Sequence, residues 1–343
     1  MTSHERIDTT LSFRPPDRVP VALHNFQPAA AATGLPFSEV FTKGEFLADA
    51  MIQGWREFGQ DMILLENGTA CSAQACGVEV AYRDDMAPVA LKPRLRSLDE
   101  VADLEVPDPY TTFPMNEVIK ATRLVAKELG DRVWIVGRAD QGAFGLSAQL
   151  RGVNEFLLEV AGGEDHKQVK ALLEFSEQVA VRYAAALLRS GAHSVSIGDS
   201  LSGPEMLSPA QYRQVALPYQ QQFVKRVKRM GGIAHLHICG NVEPILPDLV
   251  AIGAQVVEVD HKTSMRAAKR QSVGRATLLG NIDTSLLSRG TPDQVGVAAR
   301  EAIETLGQGH GFILGPGCAM GSETPAENIH ALVQTAREYG SIR

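Results

Sequence analysis

Cysteine is scarce in this chain, which limits the covalent and metal chemistry that it can support. Only four of the 343 residues are cysteine, at positions 71, 76, 239 and 318. A reducing compartment keeps such cysteines as thiols, and we interpret them as core residues or metal ligands in preference to disulfides.

Clusters of positive charge and long apolar runs are also missing. The formal net charge is −7, and the one dense basic run, KRVKR at 225–229, is predicted to be a solvated helix face. Nucleic-acid binding needs clustered Lys and Arg, and a membrane span needs about 18 apolar residues. The first ten residues, MTSHERIDTT, also lack the pattern of a secretory leader. We expect a cytoplasmic protein that binds neither nucleic acid nor a membrane.

Eight short segments rich in aliphatic and β-branched residues recur along the chain, and most precede a segment with helix signals. They lie at 18–23, 61–66, 132–138, 193–199, 233–240, 255–260, 276–283 and 311–318. Capping pairs at 208–209, 291–292 and 324–325 predict helix starts, and Gly307 and Gly340 predict helix ends. Eight such units favour an α/β fold of the (β/α)8 TIM-barrel type, formed as one domain over residues 1–343.

Three segments depart from a regular barrel. An N-terminal extension precedes the first strand, and the crossover at 261–275 is short and basic. The interval 66–131, after the second strand, is too long for one helix and is rich in proline and charge. We predict that this interval forms a lid or subdomain over the barrel mouth, which is the end where the strands terminate.

The stretch HLHICGN, at 235–241, places two histidines and a cysteine on alternating positions of a predicted strand. Residues two apart in a strand point the same way, so His237 and Cys239 can hold one ion. Active sites of (β/α)8 barrels gather at the carboxyl ends of the strands, which places this pair at the mouth. His235 is interpreted as a residue that packs beside the ligands or hydrogen-bonds to them.

Two further residues complete a candidate metal site. Cys318, between glycines at the end of the eighth strand, is the third predicted ligand, and Glu258 on the sixth strand either closes the site or gives way to a substrate. Imidazole and two thiolates favour Zn²⁺ over Mg²⁺ or Ca²⁺. The alternative is a buried, hydrogen-bonded histidine beside two core cysteines. Cys71 and Cys76 are interpreted as structural thiols.

Four patterns in chain order resemble one known family: HICG at 237–240, VVEVD at 256–260, LLGNID at 278–283 and GFILGPGCAMGSETPAENIHALV at 311–333. The family is the uroporphyrinogen decarboxylase superfamily, and the His-x-Cys…Cys pattern is similar to its zinc-containing methyltransferases that work with corrinoid proteins, the methylcobalamin:coenzyme M type. The segments 13–23 and 199–228 also resemble this family, so the resemblance covers nearly the whole chain. It implies that His237, Cys239 and Cys318 are zinc ligands, and a related glutamate ligand in cobalamin-independent methionine synthases adds weight to Glu258.

The resemblance implies a zinc-dependent methyl transfer between a methylcobalamin-type corrinoid and a small substrate, such as a thiol or a methylated compound. The direction of transfer stays open. Corrinoid-carrying domains present a D-x-H-x-x-G loop, and the two Asp-His pairs of this chain lack that spacing. We therefore expect the corrinoid on a separate partner protein that docks over the mouth. A homodimer is also possible for such an enzyme.

Two other functions are retained as alternatives. One is a metal-free decarboxylase of the uroporphyrinogen decarboxylase type; against it, the chain has LHNFQPAAAATGLP at 23–36 where those enzymes carry an arginine-rich loop of the RQAGRY kind. The other is a non-catalytic subunit or metal-storage protein, which would hold zinc in a closed site with four protein ligands.

Acidic and polar residues at other strand ends are candidates to orient ligands or substrate. Asp199 and Asp260 are the leading candidates, either by hydrogen bonding to the ligands or by accepting a proton. Each is equally well interpreted as a helix cap or an ion-pair partner. The remaining candidates at the mouth are Glu66, Arg138, Asp140, Asn281 and Asp283.

Overall fold

The eight predicted strands form a parallel barrel in the computed structural model, which describes residues 1–162, 167–308 and 310–340. Eight strands pair in chain order, and a bridge between Val21 and Leu314 joins the last strand to the first. The (β/α)8 prediction is therefore confirmed. Within the described residues the strands are β1 Ala22–Leu23, β2 Met62–Leu65, β3 Glu79–Ala81, β4 Val89–Lys92, β5 Trp134–Gln141, β6 Ser194–Gly198, β7 Ile233–Ile238, β8 Val256–Val259, β9 Thr277–Ile282 and β10 Phe312–Pro316, of which β3 and β4 form a separate hairpin.

The helices connect the strands and cover the barrel. They are α1 Ser3–Leu11, α2 Phe26–Ala32, α3 Phe37–Val40, α4 Gly44–Phe58, α5 Cys71–Ala75, α6 Met115–Leu129, α7 Ala143–Arg151, α8 Val153–Ala161, α9 Lys167–Arg189, α10 Pro209–Val215, α11 Leu217–Arg229, α12 Leu246–Ala251, α13 Met265–Ser272, α14 Thr284–Arg289, α15 Pro292–Leu306 and α16 Ala326–Tyr339. Short 3-10 helices lie at Leu98–Asp103, Ser200–Ser202 and Glu243–Ile245. Among the described residues, no helix combines the length and hydrophobicity that crossing a bilayer requires.

The predicted helix boundaries are mostly correct. Ser208 and Thr291 each form a capping box, with proline in the first turn that follows. Gly307 and Gly340 end α15 and α16. The predicted cap at 324–325 is wrong, because α16 begins one residue later with Pro325 at the capping position and no side-chain cap.

The N-terminal extension is the helix α1, which packs against the lower interior of the barrel. Its Ile7 is fully buried among inward-facing strand residues: Ala22, Met62, Leu64, Trp134, Val136, Val256, Leu279 and Ile313. His4 contacts the rings of Trp134 and His193, at the starts of β5 and β6. The amino end of the barrel is thus filled by apolar side chains.

The 66–131 interval contains α5, the β3–β4 hairpin, a 3-10 helix and α6, so it is longer than a simple crossover, as expected. Pro88, in the hairpin turn, packs against Gly68 in the loop after β2, where φ is +109°. Its role as a lid stays a prediction. The 261–275 crossover contains the single short helix α13.

A buried ion-pair network fixes the amino end of the barrel. Asp61 accepts hydrogen bonds from Arg6 Nη1 at 2.6 Å and Arg18 Nη1 at 2.7 Å. It also accepts one from the backbone of Val21 at 2.9 Å, the residue that closes the barrel onto Leu314. One carboxylate therefore joins α1, the first strand and β2.

We expect the substitution Asp61→Asn to lower the free energy of unfolding by about 3 kcal/mol, because it leaves Arg18 without its carboxylate partner and Arg6 paired with Asp17 alone. Chemical denaturation measures the change, with the exposed Asp103→Asn as control. Equal stability of both variants would contradict a structural role for this network.

Candidate active site

The two-residue period of the strands decides which side chains reach the mouth of the barrel. On β5, Val136 belongs to the apolar interior, and Arg138 is the next residue on that face. On β8, Val256 and Glu258 have the same relation. The layer above the apolar interior is therefore polar, and its buried members are His24, Glu66, Arg138, Ser196, His235, His237 and Glu258.

Three predicted ligands converge at the mouth. His237 Nε2 lies 3.0 Å from Cys239 Sγ, which lies 3.3 Å from Cys318 Sγ. One donor atom from each residue lies within 4.8 Å of the others. Residues 79 positions apart are thus brought together by the ends of β7 and β10.

This donor set fits a zinc ion. Zinc prefers nitrogen and sulfur donors, and tetrahedral coordination places two sulfur ligands about 3.8 Å apart. The 3.3 Å between Cys239 and Cys318 would need to widen by about 0.5 Å for an ion to enter. Both cysteines are half-buried, so the cluster is accessible from the mouth. Three ligands with one open side are typical of catalytic rather than structural zinc sites.

Hydrogen bonding between the two thiols shifts the pKa values of Cys239 and Cys318 in opposite directions. The hydrogen bond from Cys318 and the nearby His237 lower the pKa of Cys239 well below its usual range, against the opposing effect of burial. The same bond and burial raise the pKa of Cys318. The contact therefore favours one thiolate and one thiol in the metal-free pair.

Asp260 fixes the loops that carry both cysteines. Its carboxylate accepts hydrogen bonds from the backbone of Gly240 at 2.8 Å and Lys262 at 3.0 Å. Gly317 packs against the backbone of Asp260 and His261, where a Cβ would lie 2.7 Å from a backbone nitrogen. The contacts of Asp260 are those of a residue that positions the site, and a proton-transfer role for it stays a prediction.

Glu258 lies beside the cluster and outside the three converging donors. Its backbone oxygen is 3.3 Å from His237 Nδ1, which leaves Nε2 directed at the cysteines. Its carboxylate accepts a hydrogen bond from Ser196 Oγ at 2.6 Å and lies 3.4 Å from Arg138 Nη1. Burial opposes its charge, but His235, Arg138 and His237 lower the pKa of Glu258 below its usual range. Its role as a fourth ligand stays a prediction.

His24 is a residue of this layer that sequence reasoning missed. Its Nε2 lies 2.9 Å from Glu66 Oε1, and Glu66 Oε2 lies 3.4 Å from Arg138 Nε. Two residues after Ala22, which faces the apolar interior, His24 has the parity of an inward-facing position. That spacing was the available signal. The structure brings Glu66 and Arg138, both predicted mouth residues, into this layer.

Asp199 is fully buried beneath the start of α7 rather than beside the thiols. Its carboxylate accepts hydrogen bonds from the backbone of Gly145 at 2.7 Å and from Gln220 Nε2 at 2.8 Å. A Cβ at Gly142 would overlap this carboxylate, at 2.6 Å from its carbon. Burial raises the pKa of Asp199 to about 6. These contacts are those of a helix cap, and its catalytic role is left as a prediction.

Of the other candidate residues at the mouth, two contact the first turns of helices and one lies in the barrel interior. Asp140 accepts a hydrogen bond from the backbone of Ser72 at 2.6 Å, in the first turn of α5. Asp283 caps α14 through the backbone of Ser285. Asn281 is buried on β9, two residues after Leu279 of the apolar interior.

A small cavity of about 20 Å³ lies against the cluster. His235, fully buried, borders it; neither of its ring nitrogens lies within hydrogen-bond distance of a partner, and Nδ1 is 3.6 Å from Glu258 Oε1. The other lining residues are Ala22, Leu23, His24, Met62, Leu64, His237, Glu258, Leu279, Pro316, Gly317 and Cys318. The cavity is therefore largely apolar, with imidazole groups and a thiol on one side.

Cys71 and Cys76 lie apart from this cluster, in the buried α5 region, and both are free thiols. Burial raises the pKa of Cys76 to about 12 and raises that of Cys71 well above its usual value. Both are thus unreactive thiols, in agreement with a structural interpretation.

A (β/α)8 barrel with one imidazole and two thiols at its mouth defines a class of barrel with a candidate soft-metal site. The sequence profile of the family described as uroporphyrinogen decarboxylase (URO-D) matches residues 2–339. The chain belongs to the uroporphyrinogen decarboxylase family.

Relatives within this family differ in activity. The methylcobamide:CoM methyltransferase MtbA of Methanosarcina acetivorans is 26% identical over 349 aligned residues, which cover 98% of each chain. A solved structure described as a methyltransferase from Methanosarcina mazei has a TM-score of 0.90 at 26% identity, over 99% of both chains. A uroporphyrinogen decarboxylase of Xylella fastidiosa is 27% identical and covers 85% of this chain and 84% of its own. The predicted resemblance to this family and its corrinoid methyltransferases is confirmed.

We expect Asp140→Asn to alter how stability depends on pH. Burial raises the pKa of Asp140 to about 6, whereas an unfolded aspartate has a pKa of about 3.9. Protonated Asp140 therefore stabilises the fold below about pH 4, and this contribution is lost as the pH rises through 6. The variant should lack this loss, which amounts to about 3 kcal/mol.

Denaturation of both proteins at pH 4.5 and 7.5 measures the difference, since asparagine tolerates the φ of +61° at this position. Parallel pH profiles for wild type and variant would contradict a buried, destabilised carboxylate. The exposed Asp103→Asn serves again as control.

Proposed function

We propose that this chain is a zinc-dependent methyltransferase that moves a methyl group between a corrinoid on a partner protein and a small thiol. The convergence of His237, Cys239 and Cys318 is the observation that carries the proposal. The likeness to MtbA over 98% of both chains supports the corrinoid and the thiol, because that relative is named for methylcobamide and CoM.

Zinc bound by these residues would keep a substrate thiol in its thiolate form at neutral pH. The protein orients His237 through the backbone oxygen of Glu258 and fixes the cysteine loops through Asp260. The small, largely apolar cavity beside Cys318 limits the access of water to the sulfur. Glu258 lies outside the three converging donors, and in this proposal the fourth position of the ion is left to the substrate thiol.

The open mouth is where the corrinoid partner docks in this proposal. The thiols are half-buried there, whereas the barrel interior beneath them is filled. A large corrinoid therefore approaches from the mouth, and the small substrate binds between the corrinoid and the cluster.

A metal-free decarboxylase is the second candidate, supported by the relative from Xylella fastidiosa. A porphyrinogen carries several carboxylates and needs free arginines to bind them. Arg138, in the barrel interior, is already paired with Glu66 and Glu258. This pairing favours the methyltransferase.

We expect protein purified anaerobically to contain about one zinc per chain, as a catalytic site of this type holds one ion. His237→Ala and Cys318→Ser should both lose it, while Cys76→Ser, a buried cysteine outside the cluster, keeps it. Elemental mass spectrometry measures the content. Zinc-free wild type, after reconstitution with Zn²⁺ under reducing conditions, would refute the metal site.

We also expect the wild type to demethylate methylcobalamin in the presence of 2-mercaptoethanesulfonate, measured by the change in corrinoid absorbance. Cys239→Ser should lower the rate at least about 100-fold, because a hydroxyl replaces a zinc-binding thiolate. Cys76→Ser should retain the rate. Release of CO₂ from uroporphyrinogen by zinc-free protein, without methyl transfer, would establish the decarboxylase instead.

A further inference from the structure

A continuous chain of buried polar and charged groups extends from the end of the first strand to the cluster of His237, Cys239 and Cys318. His24 pairs with Glu66, Glu66 with Arg138, and Arg138 with Glu258, at 2.9, 3.4 and 3.4 Å. None of these side chains is more than 10% exposed. Burying charges is unfavourable unless they are paired, so such a chain is a poor source of stability and calls for another explanation.

Arg138 is the centre of this chain, and the barrel is shaped to hold its guanidinium. Nη1 donates a hydrogen bond to Ser196 Oγ at 2.7 Å, and Ser196 donates to Glu258 Oε1 at 2.6 Å. Gly198, on the same face of β6 as Ser196, leaves space for Nη2, because a Cβ there would overlap it. Arg138 and Ser196 thus engage both oxygens of one carboxylate.

Glu258 is held where it does not reach the other donors. Its backbone oxygen contacts His237 Nδ1, on the side of the ring away from the cysteines. Its carboxylate lies 3.8 Å from that same nitrogen and outside the group of three converging donors. A carboxylate on the strand next to these donors would be free to become a fourth protein ligand if nothing restrained it, and a fourth protein ligand would close the site.

We infer that Arg138 and Ser196 form a clamp that holds Glu258 back from the metal position and so keeps the fourth coordination position open for the substrate thiol. This inference rests on the proposed zinc-dependent function. Arg138 and Ser196 are positioning residues, since they act through Glu258 and do not touch the cluster. The buried ion pairs keep the fourth coordination position free for substrate and do not primarily stabilise the barrel.

The clamp predicts that one substitution raises the affinity for Zn²⁺ and lowers the rate of methyl transfer. Arg138→Met frees Glu258, so the affinity for Zn²⁺, measured by competition with a chromogenic chelator, should rise at least about 10-fold. Methyl transfer from methylcobalamin to 2-mercaptoethanesulfonate should fall at least about 10-fold, because Glu258 occupies the substrate position. An unchanged or weaker zinc affinity in folded Arg138→Met would overturn the clamp.

Cobalt provides a direct view of the open position. In wild type loaded with Co²⁺, added 2-mercaptoethanesulfonate should change the visible absorption of the metal. In Arg138→Met the same addition should leave the spectrum unchanged over the range that saturates wild type. A thiol response equal to that of wild type would contradict the inference.

Three further variants separate the clamp from a general loss of packing. Glu258→Gln combined with Arg138→Met should return zinc affinity to that of Glu258→Gln alone, because the carboxylate that the clamp restrains is gone. Arg151→Met, which breaks the Arg151–Glu159 pair away from the site, should leave zinc affinity and the cobalt spectrum unchanged. Persistence of the tighter binding in the double variant would refute an action through Glu258.

If Arg138→Met does not fold, Ser196→Ala tests the same idea, since it removes the hydroxyl that donates to Glu258 and accepts from Arg138. It should raise zinc affinity about 3-fold, an effect of one net hydrogen bond or less, and no rise would overturn the clamp. Failure of the clamp leaves zinc binding and methyl transfer by wild type intact. Failure of the proposed function removes both from wild type.

Discussion

The alternation of side chains along parallel strands is the constraint on which this structure depends. Residues two apart share a face, and all the carboxyl ends of the barrel strands meet at one rim. The same face that carries Val136 and Val256 in the apolar interior carries Arg138 and Glu258 two residues later. On these strands, the next inward-facing residue after the apolar interior therefore belongs to the polar layer of the site. The position of the apolar interior thus determines where along the barrel axis this polar layer lies.

That arrangement requires buried charge, and the barrel accommodates it by pairing. Along the layer, Arg138 lies between Glu66 and Glu258, His24 contacts Glu66, and hydrogen bonds through Ser196 complete the pairing. Acidic groups outside this chain accept hydrogen bonds from backbone amides, as Asp260 does from Gly240. Carboxylates at the strand ends thus have two roles. One set pairs with buried positive charge, and the other holds loops in place through backbone hydrogen bonds.

Sequence patterns predicted the strands and the three converging donors because both depend on local spacing. His-x-Cys at the end of a strand and a Gly-flanked cysteine after another need only a barrel to bring them together. The pairing of Arg138 with Glu66 and Glu258 was not predictable, because it depends on which side chains three different strands place at equal height. Asp199 and Asp140 also lie at strand ends, where site residues are expected. Each instead accepts a hydrogen bond from a backbone amide at a buried helix start. His24 was missed because it follows a strand of only two residues.

The family includes decarboxylases and methyltransferases, so the barrel alone does not select the chemistry. A substrate rich in carboxylates requires arginines whose charge is available, whereas Arg138 is balanced by two glutamates. A thiol requires a soft cation, and the mouth offers an imidazole and two sulfurs within 4.8 Å of one another. The same balance that removes Arg138 from anion binding gives it a carboxylate to hold. In this chain, neutralising the interior and assembling a candidate soft-metal site are therefore two aspects of one arrangement of side chains.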